Sequence, residues 1–198
     1  MNEFIGIKTG FIINTQINID MKKFLLFFAL IVAIFPSCKE IEKLTQFDLP
    51  VSQQFTLPGL LPVMNGFSFS TPDVETNYMS YFEMFNINAD LVESISIKSA
   101  AFKINKPQTA DFSFLKSVEV YISADGLEPV LMASKKDVNT NVGNSLDLNV
   151  DNKVNLKDYV TKNNIKLNVK VTTVKATTEE YVIDTKLVFG VDAKVIGL

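Results

Sequence analysis

The sharpest chemical pattern in this chain is a set of side-chain oxygens, Asp147, Asn149 and Asp151 at alternate positions and then Asp158. Oxygens at the first, third and fifth places of a loop, an apolar residue at the eighth (Val154) and a carboxylate at the twelfth suit a Ca²⁺ ion. Hydroxyl and amine pairs are the other raw material. Ser96-Ile97-Lys98 and Ser134-Lys135 could in principle activate a serine through a deprotonated lysine. Adjacent strand positions face opposite ways, however, and such pairs arise by chance in a lysine-rich chain. No two carboxylates sit in an apolar setting that would split their pKa values as a glycosidase requires. With no histidine in the chain, the commonest general base and metal ligand is missing. The expectation is a protein that is not an enzyme.

The segment from Asp147 to Asp158 resembles the calcium loops of EF-hands and dockerins, with two departures. Asn152 stands where glycine makes the sharp turn, and Asp158 is shorter than the usual bidentate glutamate. The plainer reading is a strand through Leu146, Leu148 and Val150, an Asp-Asn turn and a capped helical turn. Ca²⁺ is thus the one candidate cofactor, and otherwise none is expected.

A second concentration of residue types is Tyr78, Met79, Tyr81, Phe82, Met84 and Phe85, joined by Phe67 and Phe69. Methionine and aromatic side chains adapt to irregular apolar shapes, so this cluster could line a cavity for an acyl chain or present a binding surface. Plain core is the competing reading.

The chain's one cysteine follows a cationic and then apolar stretch: Lys22-Lys23, an apolar run over residues 24–35, and Pro36-Ser37 before Cys38. This is the order of a secretory signal, and the run is too short for a comfortable membrane span of roughly 20 residues. Residues 21–38 resemble the bacterial lipoprotein signal. In that family a cysteine is acylated on sulfur, becomes the mature N-terminus and is acylated again on its amine. Phe35-Pro36-Ser37 departs from the family's preference for Leu, a small residue and then Gly, Ala or Ser. A lone cysteine makes no internal disulfide, and lipidation removes an otherwise exposed thiol. The resemblance implies lipidation at Cys38 and a membrane partner reached through N-terminal acyl chains. Lys39 in place of the inner-membrane retention Asp implies the outer membrane. The stretch Lys39-Glu40-Ile41-Glu42 looks like tags that send some lipoproteins to the cell surface. Residues 1–20 carry Glu3 and Asp20 ahead of the signal and read as an upstream extension, with translation starting at Met21. The organisation expected is then a signal at 21–37, a lipidated tether at 38–46 and one domain at 47–198.

Composition narrows what that domain does. Without Lys8, Lys22, Lys23, Glu3 and Asp20, the chain from Cys38 onward holds 16 lysines against 20 acidic residues and no arginine. A mildly acidic chain without guanidinium groups is poorly suited to nucleic acid. Tryptophan is absent, so a sugar-stacking platform would have to come from Tyr or Phe.

The elements that would carry these residues are short strands. Phe47, Leu49, Val51, Phe55 and Leu57 share one parity, and Pro50 and Pro58 place that strand at a sheet edge. Val63, Phe67 and Phe69 suggest a second strand over residues 62–71. Residues 77–87 are apolar on both parities, a doubly buried strand or a helix. Asn88 to Glu93 reads as a capped helical turn. Ile95 and Ile97 lie on one parity and Ala100, Phe102 and Ile104 on the other, which predicts a bulge near Ser99. Val118, Val120 and Ile122, then Ala124-Asp125-Gly126, then residues 130–133 predict a hairpin. Residues 156–160 suggest a helical turn, and residues 165–171 and 181–195 alternate again, with Gly190 as a kink. Seven to nine strands without a long amphipathic helix predict an all-β antiparallel sandwich, immunoglobulin-like or Greek-key, with one or two helical turns. As a whole it resembles β-sandwich lipoproteins of uncharacterised role.

The expected function is a lipid-anchored, non-enzymatic envelope protein that displays a binding or structural surface. Loops 105–111, 124–129 and 137–144 would carry its specificity. A carrier of a hydrophobic ligand near Tyr78 to Phe85 is the alternative and a glycan-binding accessory protein the third. The protein, lipid or glycan partner stays open.

Overall fold

The computed structural model describes residues 46–194, and Cys38, the signal and most of the tether lie outside the described residues. Among the described residues nine strands form one antiparallel, curled sheet: β1 (Gln46–Leu57), β2 (Phe67–Ser70), β3 (Val74–Glu75), β4 (Val92–Lys106), β5 (Leu115–Ala124), β6 (Leu127–Lys135), β7 (Ser145–Val150), β8 (Asn164–Thr173) and β9 (Tyr181–Ala193). The order is β1-β9-β4-β7-β6-β5-β8-β2, with β3 also paired to β8. Within it β4-β7-β6-β5 is a Greek key, since three hairpin-linked strands return to lie beside the fourth.

Strand-period alternation produces this architecture directly. In β1 Phe47, Leu49, Val51, Phe55 and Leu57 are buried while Gln46, Asp48, Pro50 and Ser52 face solvent. Among the described residues β1 pairs with β9 alone and is an edge, the place in a sheet where a residue without an amide donor such as Pro50 is tolerated. The parity switch in β4 is a register shift between Ile97 and Ser99. The β5–β6 hairpin turns at Gly126, whose φ of 77° favours glycine.

Two features hold the curl. The halves join at β6 and β7 by two residue pairs, Ala133 with Val150 and Ser134 with Asn149. The edge strands then approach each other: Gln53 Nε2 donates to the Pro72 carbonyl at 2.8 Å, and the rings of Phe55 and Phe69 lie 5.4 Å apart. Between the halves sit Phe112, Phe189, Ile97, Ile122, Met132 and Leu156, all fully buried. Each such side chain contributes about 1.5–3 kcal/mol relative to an exposed one.

Strand direction divides the loops between two poles. The first pole carries the start of β1, the end of β9 and the start of β4, since Gln46 pairs with Asp192 and Val92 with Ala193. It also carries α1 (Tyr78–Met84), a 3₁₀ turn (Ala89–Leu91) and α2 (Lys157–Val160). The far pole carries the end of β1, the start of β9 and the segments 58–66, 107–114, 136–144 and 174–180.

One expectation is corrected. The second strand begins only at Phe67, and residues 58–66 are a loop, because Leu60 and Gly66 have positive φ (61° and 79°). Gly190 pairs with Ser96, next to the register shift of β4, and a Cβ there would come within 2.7 Å of the Lys98 side chain crossing it.

Candidate functional site

The calcium-loop pattern is laid out along a strand. Asp147 and Asn149 lie in β7 opposite Ala101 and Ser134, and both are exposed. Asp151 Oδ1 accepts the Lys153 N–H at 3.1 Å, an Asp turn, and Asp158 sits in α2. Among the described residues no three His, Cys, Asp or Glu side chains converge as a metal would require. What this segment does is dock. Leu156 is fully buried and its N–H donates to the Ile95 carbonyl at 2.7 Å. Asn155 Oδ1 accepts from the Ile95 and Lys157 N–H groups, and Lys157 Nζ donates to the Val92 carbonyl at 2.6 Å. The alternation of oxygens is the solvent face of a strand, continued by an Asx turn that pins α2 to β4.

The hydroxyl and amine pairs fare differently. Ser96 and Lys98 are two positions apart and share the outer face, lining one shallow groove with Gln46, Asp192 and Gly190. Lys98 Nζ is ion-paired with Asp48 Oδ1. Ser134 lies in β6, paired with Glu119 of β5 and Asn149 of β7.

The aromatic and methionine cluster is a helix, and its ends explain why. Asn77 precedes α1 and Asn86 follows it, both left-handed at φ 52° and 54°, a conformation asparagine tolerates. At the C-terminus Ile87 N–H donates to Phe82 O at 2.8 Å and Asn86 N–H to Glu83 O at 3.0 Å, a Schellman closure with asparagine in the glycine place. Phe82 is buried, edge-on to Phe47 at 5.9 Å and to Tyr78 at 5.4 Å, while Phe85 stacks on Phe47 at 4.4 Å. Tyr78 and Tyr81 are half-buried, but Met79, Met84 and Phe85 remain 54, 70 and 46% exposed. One side of α1 is core, and its exposed residues are Met79, Ser80, Glu83 and Met84, with Phe85 just past its end. An open cleft of about 380 Å³ lies beside its start, lined by Glu75, Asn77, Tyr78, Asn163 and Asn164 among others. Phe67 and Phe69 lie elsewhere, in β2.

A surface not anticipated from the sequence lies at the far pole. Loop 58–66 presents Leu60 and Val63, 80 and 62% exposed, and Val174 on the neighbouring segment is 44% exposed. Two buried threonines hold it. Thr177 exchanges two hydrogen bonds with Leu61, its Oγ1 accepting the Leu61 N–H and its own N–H donating to Leu61 O, both at 2.9 Å. Thr173 Oγ1 accepts the Met64 N–H at 3.0 Å and donates to Pro62 O at 2.8 Å, and its N–H donates to Met64 O at 3.0 Å. A Cβ on Gly59 would come within 2.8 Å of the Glu179 backbone, so the loop closes onto residues 177–180 only with glycine there. Leu60 keeps a left-handed φ that a branched side chain disfavours, and such strain persists only where surroundings impose it. The signal available in the sequence was Pro58-Gly59 and Pro62 interrupting the alternation.

Four groups have displaced pKa values, three of them toward this pole. Asp111 is lowered by hydrogen bonds from the Ser113 side chain and backbone, and Asp184 by those from Gln54 and Asn105. Tyr181, stacked on Phe114 at 5.0 Å, is raised chiefly by burial. Tyr121, on β5, is raised by its hydrogen bond to Glu119.

No protein-family model and no curated protein sequence matches this chain.

Proposed function

We propose that the chain is a lipid-anchored, non-enzymatic envelope protein that displays a β domain at the outer membrane, with its binding surface at the far pole. The observation that carries this reading is the opposition of the poles. Gln46, eight residues beyond Cys38, begins β1, and the stapled loop 58–66 follows the other end of that strand. Twelve residues of strand separate them, about 40 Å at the usual rise. A rigid apolar loop held that far from its tether suits contact with a partner, because a loop ordered beforehand loses little entropy on binding.

The carrier alternative places its ligand near Tyr78 to Phe85. The cleft there, about 380 Å³, is open and lined by Glu75, Thr76, Asn77, Ser80, Asn163 and Asn164 besides Tyr78 and Met79, a polar lining that suits an acyl chain poorly. Display is therefore favoured over carriage at this cleft.

Two experiments test the proposal. Cells fed an alkyne fatty acid are expected to label the wild-type protein and not Cys38→Ser, and an unlabelled wild type removes the anchor. A photo-crosslinker in place of Leu60 or Val63 is expected to give a discrete adduct in intact cells, whereas one in place of Ser52 on the outer face of β1 gives none. Indistinguishable patterns at all three positions would reject the far pole as the binding surface.

A further inference from the structure

We propose that the cleft between the β3–β8 pair and the first turn of α1 binds one neutral sugar residue of a glycan. The site is separate from the far-pole loop and from the lipid anchor, and it holds or fails independently of both.

The first support is how the cleft is built. Its floor is the pairing of β3 with the start of β8, Val74 with Ile165 and Glu75 with Asn164. Thr76, 1% exposed, carries that pairing past the strand ends: its N–H donates to Asn163 O at 3.3 Å and its Oγ1 to Lys162 O at 3.0 Å. The opposite wall is fixed by Tyr78, whose ring meets the buried Phe82 edge-on at 5.4 Å. Glu75, Asn163 and Asn164 on one side and Asn77, Tyr78 and Ser80 on the other therefore face a common space whose walls are ordered before a ligand arrives. Such preorganisation lowers the entropy lost on binding.

The second support is the chemistry of the lining. Glu75, Asn77, Ser80, Asn163 and Asn164 are all exposed, and among the described residues none of their side chains has a hydrogen-bond or ion-pair partner. A carboxamide offers two N–H donors and a carbonyl acceptor, which complements hydroxyl groups that both donate and accept. Three carboxamides, a carboxylate and a hydroxyl around one space match the rim of a sugar ring. Tyr78 and Met79 supply the apolar wall on which the C–H face of such a ring can lie. An acyl chain would leave these polar groups unpaired on desolvation. Glu75 is the one charged residue in the lining and no lysine joins it, so a phosphorylated or acidic sugar would meet like charge without a counter-ion. At about 380 Å³ the cleft is near the lower end of the usual ligand-site range of about 300–1,000 Å³. That suits a single ring, and the open mouth leaves room for the rest of a glycan to continue into solvent.

The test is ligand-observed saturation-transfer NMR on the full chain, kept in a detergent without a sugar headgroup. The probes are the methyl glycosides of glucose, galactose, mannose and N-acetylglucosamine, with methyl glucuronide as the acidic counterpart, each titrated to tens of millimolar. At least one neutral glycoside is expected to bind saturably, and the glucuronide more weakly. Glu75→Gln combined with Asn164→Ala should weaken the strongest binder at least about tenfold, as loss of two hydrogen-bonding side chains implies. Circular dichroism and the melting temperature should not change, because both side chains are exposed and the backbone pairing stays. Leu60→Ala at the far pole should leave the affinity as it was. Silence from all four neutral glycosides overturns the proposal. Saturable binding that the double variant leaves intact places the sugar elsewhere and overturns it equally, and a glucuronide bound as tightly as the best neutral glycoside overturns the neutral class.

Discussion

The two poles of the domain both turn apolar side chains to solvent, yet they are secured by different forces. At the first pole α1 is held by packing: Phe82 fills a socket made by Phe47 and Tyr78, and Phe85 stacks from outside. At the far pole loop 58–66 makes no regular secondary structure, and hydrogen bonds to Thr173 and Thr177 set its path. Packing is non-directional, so α1 can shift slightly and keep most of its stabilisation. Hydrogen bonds weaken steeply with misalignment, so the loop is either in place or released. The helix is therefore built to tolerate small displacements and the loop to hold one conformation.

The largest expected effect is at the first pole. Phe82 is 3% exposed, the buried anchor of α1, and Phe82→Ala should lower stability by about 3–5 kcal/mol in chemical denaturation. If the poles are independent, hydrogen exchange at Leu61 and Met64 should then rise only as much as global stability falls, while amides of residues 85–87 exchange far faster. Equal acceleration at both poles would show one cooperative unit and dissolve the contrast.

The far pole is broken by Gly59→Ala. The added methyl meets the Glu179 backbone at 2.8 Å, and overpacking against backbone costs about 1–3 kcal/mol. Here the acceleration should fall on Leu61, Met64 and Thr177 and spare residues 85–87. A variant as stable as wild type would mean that the loop does not depend on close contact with residues 177–180.

That asymmetry also marks what was legible in the sequence. Period-two alternation disclosed β1, β5, β7 and the bulge near Ser99, because burial on one sheet face imprints directly on residue parity. The edge position of β1 was written in Pro50. Residues 77–87 stayed ambiguous because they are apolar on both parities. What decides for a helix is a pair of left-handed asparagines and a Schellman closure, local geometry that periodicity does not encode. Loop 58–66 was missed for another reason: Thr173 and Thr177, which fix it, lie 109 and 116 positions away from Met64 and Leu61. The calcium-like oxygens were legible but ambiguous, since Asp-x-Asn-x-Asp is equally the exposed face of a strand such as β7.

A finer cut at the far pole is Thr173→Val, which keeps the shape and deletes the hydroxyl. It removes the acceptor for the Met64 N–H and the donor to Pro62 O while leaving the backbone bond to Met64 O. The expected loss is roughly 1–2 kcal/mol, seen as a lower denaturation midpoint with unchanged slope. Crosslinking at Leu60 should fall with it if the loop must be preordered to bind. Full crosslinking at reduced stability would show that the apolar side chains suffice without their staple.

The smallest effect separates the poles by acidity. Asp111 caps the 3₁₀ turn Phe112–Phe114 at the far pole, and Asp184 of β9 accepts from Gln54 Nε2 at 2.9 Å near the end of β1. Hydrogen bonding, chiefly from Ser113 and from Gln54, holds each carboxyl below its ordinary value. The unfolded chain therefore binds these two protons more readily than the folded one. Their contribution is complete well above the unfolded Asp value of about 3.9 and is lost as pH falls through the lower folded values. Both side chains are solvent-accessible, so the loss should be modest and partly screened by salt. Asp111→Asn with Asp184→Asn should flatten the acid limb of the stability curve, and in wild type the Leu61 and Met64 amides should lose protection before that of Ile87 as the pH drops. If the double variant keeps the wild-type acid slope, the acid sensitivity lies outside these two carboxylates, and this chemical difference between the poles disappears.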